Sequence, residues 1–280
     1  MTGVLAPAAF DTIANLLKQR SGLAIGPDKL YLLETRLAPI LKRQDLRDLS
    51  ALAERLRGPR MDALAQEVVE AMTTNESLFF RDDKPFEHFR TQALPRLHAA
   101  RPPGAPVRIW SAAASSGQEA YSLAMAITDM RASLGDRRVE IIATDIAREQ
   151  LARAREGLYS QFEVQRGLPI QMLVKHFRKE AAGWRVAETI RRMVDFREWN
   201  LLTDLRGLGR FDIVFCRNVL IYFDPPTKAR VLDAIAALMP ADGLLYLGGA
   251  ETVLGITSRL APIANARGVY GLSSVTAAVA

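Results

Sequence analysis

Val107-Arg-Ile-Trp-Ser-Ala-Ala-Ala-Ser-Ser-Gly-Gln-Glu-Ala-Tyr-Ser122 is the stretch whose reading decides the fold. Val107, Ile109 and Trp110 make the apolar run of a buried strand. Ser111 to Gly117 is an unbroken run of small residues, and from Gln118 onward the chain resumes helical spacing. A strand that turns through tiny side chains into a helix lets a ligand approach the backbone at the positive end of the helix dipole. The residues alone also allow an ordinary βα turn. Two features favour a ligand. The turn is richer in small residues than a connector needs, and it carries one glycine where a dinucleotide fingerprint has three. A sulfonium nucleoside such as S-adenosylmethionine has no pyrophosphate to cradle, so a looser turn suffices for it.

Downstream the αβ alternation continues. The helix runs through Tyr121, Leu123, Met125 and Ile127 to about Ser133, and Val139 to Ala143 reads as a second strand ending at Thr144-Asp145. An acid there suits the ribose hydroxyls of an adenosine ligand. Its alternative role is to cap a helix starting at Ala147. Residues 153–192 break the rhythm. Lys175–Lys179 and Trp184–Ala187 look like strands joined by Glu180-Ala-Ala-Gly183, and Ile190–Phe196 leads into a third main strand, so an inserted hairpin is predicted. This insertion has nine Lys/Arg against four Asp/Glu and holds most of the chain's formal excess charge. Phe211-Asp-Ile-Val-Phe-Cys216 reads as a central parallel strand, apolar on both faces. It delivers Arg217-Asn218 and is expected to continue through Val219–Phe223. Proline in Asp224-Pro-Pro226 suits a helix start. A helix to Met239, a strand at Gly243–Gly248 and a last strand near Gly268–Leu272 complete the pattern.

Upstream, residues 1–72 read as all-helical, with Ile13, Leu17, Leu33, Leu37, Ile40, Leu52, Leu56, Leu64, Val68 and Met72 at helical spacing. Their charge is nearly balanced, ten Lys/Arg against nine Asp/Glu. Thr73-Thr-Asn-Glu-Ser-Leu-Phe-Phe-Arg-Asp82 follows. It reads either as a capping segment, with Asp82 at the head of a helix beginning near Lys84, or as a polar lid presenting Asn75, Ser77 and Arg81 to a ligand. Pro95 predicts a kink in the helix through Arg101.

Composition narrows the function classes. A hydrophobic content of 49% and a charged content of 24% describe a soluble globular chain. Net charge is +6 and the isoelectric point about 9.7, compatible with an acidic partner. One cysteine, Cys216, and three histidines offer no metal-ligand spacing and no internal disulfide. No signal peptide or membrane-length apolar run is present, so a cytoplasmic protein is expected.

Four stretches, taken together and in this order, resemble the CheR family of chemotaxis receptor methyltransferases. They are Thr73-Thr-Asn-Glu-Ser-Leu-Phe-Phe-Arg81, Trp110–Ser122, Ala143-Thr-Asp-Ile146 and Phe215-Cys-Arg-Asn-Val-Leu-Ile-Tyr-Phe223. Gln118 and Ala120 stand where many relatives have Glu and Pro, and Ser77 stands where Thr is frequent. The resemblance implies an α/β class, with a Rossmann-like methyltransferase domain over 73–280, a helical domain over 1–72 and an inserted antiparallel β-subdomain over 153–192. It implies methyl transfer from S-adenosylmethionine to glutamate side chains of a chemoreceptor's cytoplasmic region, leaving a glutamyl methyl ester and S-adenosylhomocysteine, with no metal. By matched position Asn75, Ser77, Arg81, Glu119, Asp145, Asn200, Leu201, Arg217 and Asn218 would line the cofactor pocket.

A carboxylate is already ionised near pH 7, so no general base is needed. It must be desolvated and aligned instead. Arg81 and Tyr222 are the residues expected to orient it, although Tyr222 taken by itself reads as an aromatic in an apolar run. A nucleic-acid amino-methyltransferase is disfavoured because Thr227 follows Asp224-Pro-Pro226 where an aromatic would stack on a base. Some family members grip a peptide at the receptor's C-terminus by strand addition and share a longer, glycine-containing β-loop. With only Glu180-Ala-Ala-Gly183 here, no such tether is expected. Arg166, Lys175, Arg178, Lys179 and Arg185 are expected to steer the enzyme to an acidic receptor bundle.

Overall fold

The computed structural model describes residues 7–59 and 61–273; Arg60 and both ends of the chain lie outside the described residues. The chain divides into two compact units. One reaches Thr74 and also takes in Tyr222–Thr227, and the other comprises Asn75–Ile221 and the chain from Lys228.

The first unit holds helices α1 (Pro7–Ser21), α2 (Leu30–Arg43), α3 (Leu49–Leu56) and α4 (Asp62–Met72). Their apolar stripes bury Ile13, Leu17, Leu33, Leu37, Leu52 and Val68. Asp48 caps α3 by accepting from the Ala51 N–H at 2.8 Å. Arg36 closes the end of α4 by donating to the Met72 and Thr73 carbonyls at 2.7 and 3.2 Å, where a cation meets the negative end of the helix. The returning segment is tied in by a bridge between Leu23 and Phe223 and by the Lys18–Asp224 ion pair at 2.7 Å. Gly22, at φ +79°, has no room for a Cβ, which would sit 2.9 Å from the Phe223 ring.

The second unit begins with α5 (Lys84–His88) and α6 (Leu94–Ala100), joined by a π-helical turn at Phe89–Ala93. This widened turn lies directly before Pro95, whose ring cannot donate to the helix ladder. Then come β1 (Val107–Ala112), α7 (Gln118–Asp129), α8 (Arg131–Leu134), β2 (Val139–Asp145) and α9 (Arg148–Glu156). The insertion is richer than a hairpin: β3 (Leu158–Tyr159), α10 (Gln161–Gln165), α11 (Ile170–His176), β4 (Phe177–Glu180), β5 (Gly183–Val186) and α12 (Glu188–Arg191). Its strands form a separate antiparallel sheet in the order β3-β5-β4. Lys175 and His176 finish α11 and do not start the strand, and Ile190 is buried within α12. β6 (Val194–Glu198), β7 (Ile213–Cys216), α13 (Pro225–Leu238), β8 (Leu244–Tyr246), β9 (Leu260–Pro262) and β10 (Val269–Leu272) complete the chain. α13 starts at Pro225, as the proline pair predicts, and Asp224 caps it by accepting from the Thr227 N–H at 3.0 Å.

The main sheet runs β6-β2-β1-β7-β8-β10-β9. The first five strands are parallel, and β10 lies antiparallel to both β8 and β9. β7 and β8 are buried along their whole length, as central strands covered on both faces must be. The order reverses beside β1, which is where open α/β sheets bind ligands, outside the carboxyl ends of the strands. Among the described residues no helix is long and apolar enough to cross a membrane.

Candidate active site

Register aligns the strand ends. Ala112 pairs with Thr144 of β2 and with Cys216 of β7, and Asp145 pairs with Glu198 of β6. The loops that leave these four strands therefore start at one level.

The turn between β1 and α7 is pinned from several sides. Ala113, Ser115 and Gly117 have φ of +59°, +51° and +95°. The Ala114 N–H donates to the Thr144 carbonyl at 2.8 Å, and the Ser115 N–H to Asp145 Oδ2 at 2.7 Å. Asp145 Oδ1 accepts from the Ala147 N–H at 2.9 Å. The acid thus serves both as the anchor of the turn and as a local cap ahead of α9. Gly117 is confined by packing as well as by φ, since a Cβ would lie 2.9 Å from that of Ala154 and 3.1 Å from the Phe196 ring.

Arg217, at the end of β7, gathers the next group. Its side chain is 1% exposed. Nη1 donates to Glu119 Oε2 at 3.1 Å, and Nη2 donates to Asp82 Oδ2 at 2.6 Å and to the Arg81 carbonyl at 2.8 Å. Glu119 also accepts from Ser111 Oγ at 2.8 Å. Burial raises the Glu119 carboxyl above its ordinary range, against the opposing pull of Arg217 and the Ser111 hydroxyl. Of the two readings of 73–82, the one that puts Asp82 at the head of the helix near Lys84 does not hold: its carboxylate turns to Arg217, and Asp83, whose side chain makes no cap hydrogen bond, occupies the cap position.

The chain 75–82 bridges these clusters. The Asn75 carbonyl accepts from Ser115 Oγ at 3.0 Å, and the Phe80 N–H donates to Ser122 Oγ of α7 at 2.9 Å. The Arg81 guanidinium donates to the Glu76 carbonyl at 3.3 Å, and half-buried Ser77 lies between. On the far side, the Trp199 N–H donates to the Asp145 carbonyl at 3.0 Å, which sets Asn200 and Leu201 beside the end of β2. Asn75, Arg81, Glu119, Asp145, Asn200, Arg217 and Asn218 are thus linked by hydrogen bonds or direct succession, with Ser77 and Leu201 in the same loops.

Tyr222 falls in the other compact unit. It belongs to the returning segment of the helical unit, where its carbonyl accepts from the Ala24 N–H at 2.9 Å. The extension of β7 expected through Val219–Phe223 does not form. Asn218 takes φ +58° and the chain turns into a 3₁₀ turn at Leu220–Tyr222.

Glu251 explains that turn, and it is the functional-region residue that the sequence reading missed. Its two carboxylate oxygens accept from the backbone N–H groups of Asn218, Val219, Leu220 and Gly248 at 2.7 to 3.0 Å, with Ile221 at 3.3 Å. A buried carboxylate collecting successive N–H groups fixes the loop carrying Arg217 and Asn218. Nothing local marks Glu251 in the sequence, because its partners in the loop after β7 lie about 30 residues away in the chain.

The donor set fits an adenosine-type sulfonium cofactor. Ala112, Ala114, Ser115 and Ser116 leave the turn low enough for close backbone approach at the head of α7, a twelve-residue helix. Nε of Arg217 is a buried donor with no partner among the described residues. Among those residues no group of three His, Cys, Asp or Glu could hold a metal. Cys216 is buried, and burial pushes its thiol well above the ordinary range, which suits packing and not nucleophilic attack.

Comparison with known proteins agrees with this geometry. Residues 75–269 match the family model described as CheR methyltransferase, SAM binding domain, and residues 8–73 match CheR methyltransferase, all-alpha domain. The chain is 39% identical over 251 residues to chemotaxis protein methyltransferase Cher2 of Pseudomonas putida, covering 88% of this chain and 91% of the relative. It is 41% identical over 252 residues to chemotaxis protein methyltransferase 1 of Pseudomonas aeruginosa, covering 89% and 91%. Chemotaxis protein methyltransferase 1 of Vibrio cholerae is 38% identical over 253 residues, with the same coverage. With both family models matched in order and relatives this similar along most of their length, the chain belongs to the CheR methyltransferase family.

Proposed function

We propose that this protein transfers a methyl group from S-adenosylmethionine to glutamate side chains on the cytoplasmic region of chemoreceptors, forming glutamyl methyl esters for chemosensory adaptation. In this reading it acts in the cytoplasm, and 1–72 is a helical domain attached to a methyltransferase domain at 73–280 that carries the insertion 153–192. The observation that carries the reading is the convergence of Asn75, Arg81, Glu119, Asp145, Asn200, Arg217 and Asn218 at the ends of four adjacent strands.

The cofactor supplies an electrophilic methyl on a sulfonium. The protein supplies binding and alignment. Asp145 holds the β1–α7 turn in place, and Asn200 and Leu201 border it. Arg217 pairs with Glu119 and holds the Arg81 backbone carbonyl. Arg81 offers a guanidinium that can hold an incoming carboxylate by charge-assisted hydrogen bonds, and Tyr222 offers a phenol for the same task. A carboxylate with an ordinary pKa near 4.3 needs no base at neutral pH, so the barrier to be lowered is desolvation and in-line alignment. The decisive test is transfer of labelled methyl from S-adenosylmethionine to receptor cytoplasmic fragments, followed by alkali. Volatile label released as methanol supports the ester; label that resists alkali overturns it.

Tyr222→Phe is expected to lower kcat about 10- to 100-fold, within the range of a single positioned polar group, while S-adenosylhomocysteine affinity stays within about twofold. A fall in affinity as large as the fall in rate would make Tyr222 a pocket wall instead.

Receptor docking is expected to use charge, not strand addition. β4 is the edge of the small sheet; it is four residues long and presents exposed Arg178 and Lys179, features that protect edges from pairing. Of the five cations named for steering, Arg166, Lys175 and Arg185 are already paired with Glu76, Asp129 and Glu180. The steering role therefore concentrates on Arg178 and Lys179. Deleting the receptor's C-terminal tail should leave the methylation rate unchanged, and replacing both cations by serine should flatten the salt dependence of receptor binding. Tail-dependent methylation with micromolar binding of the isolated tail peptide would refute the first expectation, and an unaltered salt slope the second.

A further inference from the structure

The inserted subdomain reaches into both walls of the cofactor region, which a module serving only as a receptor handle has no reason to do. Tyr159, in the two-residue β3, is 1% exposed and donates its hydroxyl to the carbonyl of Ser116 at 2.6 Å, within the small-residue turn. The edge of its ring meets Phe79 at 5.0 Å between centroids, and Phe177 of β4 meets Phe79 from another side at 5.5 Å. Phe79 is fully buried between them and belongs to the chain 75–82 that carries Asn75, Ser77 and Arg81.

Two further contacts come from the loop between α10 and α11. Gly167, at φ +85°, lies against the Phe79 backbone so closely that a Cβ there would fall 2.1 Å from the Phe79 carbonyl oxygen. Its neighbour Arg166 bonds Glu76 at 2.8 Å while its guanidinium covers the Phe162 ring at 5.3 Å. The chain 75–82 is therefore held from one side by Ser115 and Ser122 and from the other by the insertion.

We propose that Tyr159 and Gly167 are positioning residues for the cofactor pocket: the Tyr159 hydroxyl fixes the β1–α7 turn, the Gly167 backbone fixes the chain 75–82, and the insertion thereby sets the gap between them. The proposal rests on the reading of that gap as the S-adenosylmethionine site. It places cofactor affinity under the control of an element outside the Rossmann-like sheet. A partner that shifts the insertion would alter cofactor binding without touching the cofactor.

The test uses the full chain and S-adenosylhomocysteine titrated calorimetrically, with initial rates on a receptor fragment. Tyr159→Phe keeps the ring packing and removes one hydroxyl. Its expected effect is a 5- to 20-fold rise in Kd, roughly the weight of one buried hydrogen bond, with KM for S-adenosylmethionine rising in step and kcat within about twofold. Gly167→Ala is expected to raise Kd further, because the Phe79 carbonyl must move. Gly157→Ala is the control. It forces an alanine to φ +64° in the same insertion, but toward the Arg191 side-chain stem, 2.9 Å from Cδ, and not toward the chain 75–82. It should lower Tm and leave Kd unchanged. Kd within twofold of the parent for folded Tyr159→Phe would overturn the proposal, and so would an equal rise for Gly157→Ala. If Gly167→Ala does not fold, Tyr159→Phe against the control decides. A parent protein that fails to bind S-adenosylhomocysteine would overturn the cofactor reading itself, a result distinct from parent and variants binding alike.

Discussion

Arg217→Ala should destabilise the protein by about 3–5 kcal/mol, the usual cost of removing one partner from a buried ion pair. The guanidinium is 1% exposed and Glu119 14%, so the loss leaves a largely desolvated carboxylate with, among the described residues, the Ser111 hydroxyl as its remaining donor. Asp82, with 49% of its side chain exposed, is rescued by water and adds little. Arg217→Lys should fall between, because a single ammonium cannot reach Glu119, Asp82 and the Arg81 carbonyl together. Arg217→Met combined with Glu119→Gln should recover much of the loss, since neither charge of the pair remains. Chemical denaturation of the four proteins measures this.

The pH dependence has a definite sign. Glu119 titrates above its ordinary 4.5 in the folded chain. Between those two values the folded state holds a proton that the unfolded state has released. Glu119 therefore makes stability fall as pH rises from 4.5 through its folded value. Without Arg217 the folded value moves higher still, and the interval widens. The deficit of Arg217→Ala should accordingly be smaller at about pH 5 than at about pH 8. An equal deficit at both would show that lost packing, not an unpaired charge, is responsible.

Asp145→Ala should weaken S-adenosylhomocysteine binding by about 10- to 150-fold, equivalent to the roughly 1.5–3 kcal/mol of hydrogen bonding to a charged group. From the sequence, this loss is expected through the ribose alone, with the fold untouched. The structure adds a second consequence. The carboxylate holds the Ser115 and Ala147 N–H groups at 2.7 and 2.9 Å, so its removal frees the β1–α7 turn and lowers Tm as well. Asp145→Asn should recover little, because its amide group must face one of those two donors. Calorimetric titration alongside thermal unfolding separates the effects. A lower Tm with unchanged affinity would make Asp145 a purely structural anchor.

Much of the architecture was legible because it depends on short-range pattern. Val107–Trp110, Val139–Ala143 and Phe211–Cys216 are mostly apolar stretches, each broken by one charged residue, and such a stretch buried over most of its length suits a central strand. The small residues from Ser111 to Gly117 announce a backbone that something must approach or pack against closely. In the structure Ala154, Tyr159 and Phe196 are the groups that crowd Gly117. The helical spacing of 1–72 and the Asp-Pro-Pro start of α13 are equally local signals.

Where the reading departed from the structure, the deciding partner was remote in sequence. β7 stops at Cys216 because Glu251 draws the next N–H groups into a turn, and no propensity of Val219–Phe223 reveals that. Asp82 does not take the cap that one of its two readings offered, because a buried guanidinium 135 residues away provides a charged partner in place of a helix end. The insertion's three-stranded sheet needs β3, a two-residue strand too short to carry a period, and it exists only because β5 is there to pair with it.

The sequence by itself determined the succession of strands and helices, the small-residue turn, and the family to which the chain belongs, since each is written in contiguous residue types. Only the tertiary structure decided which charges meet. Arg217 closes on Glu119 and Asp82, Glu251 gathers the loop after β7, and Tyr159 reaches Ser116. Those choices follow from burial: once the strand ends are packed, each polar group left there must find a partner within about 3 Å, whatever its distance along the chain.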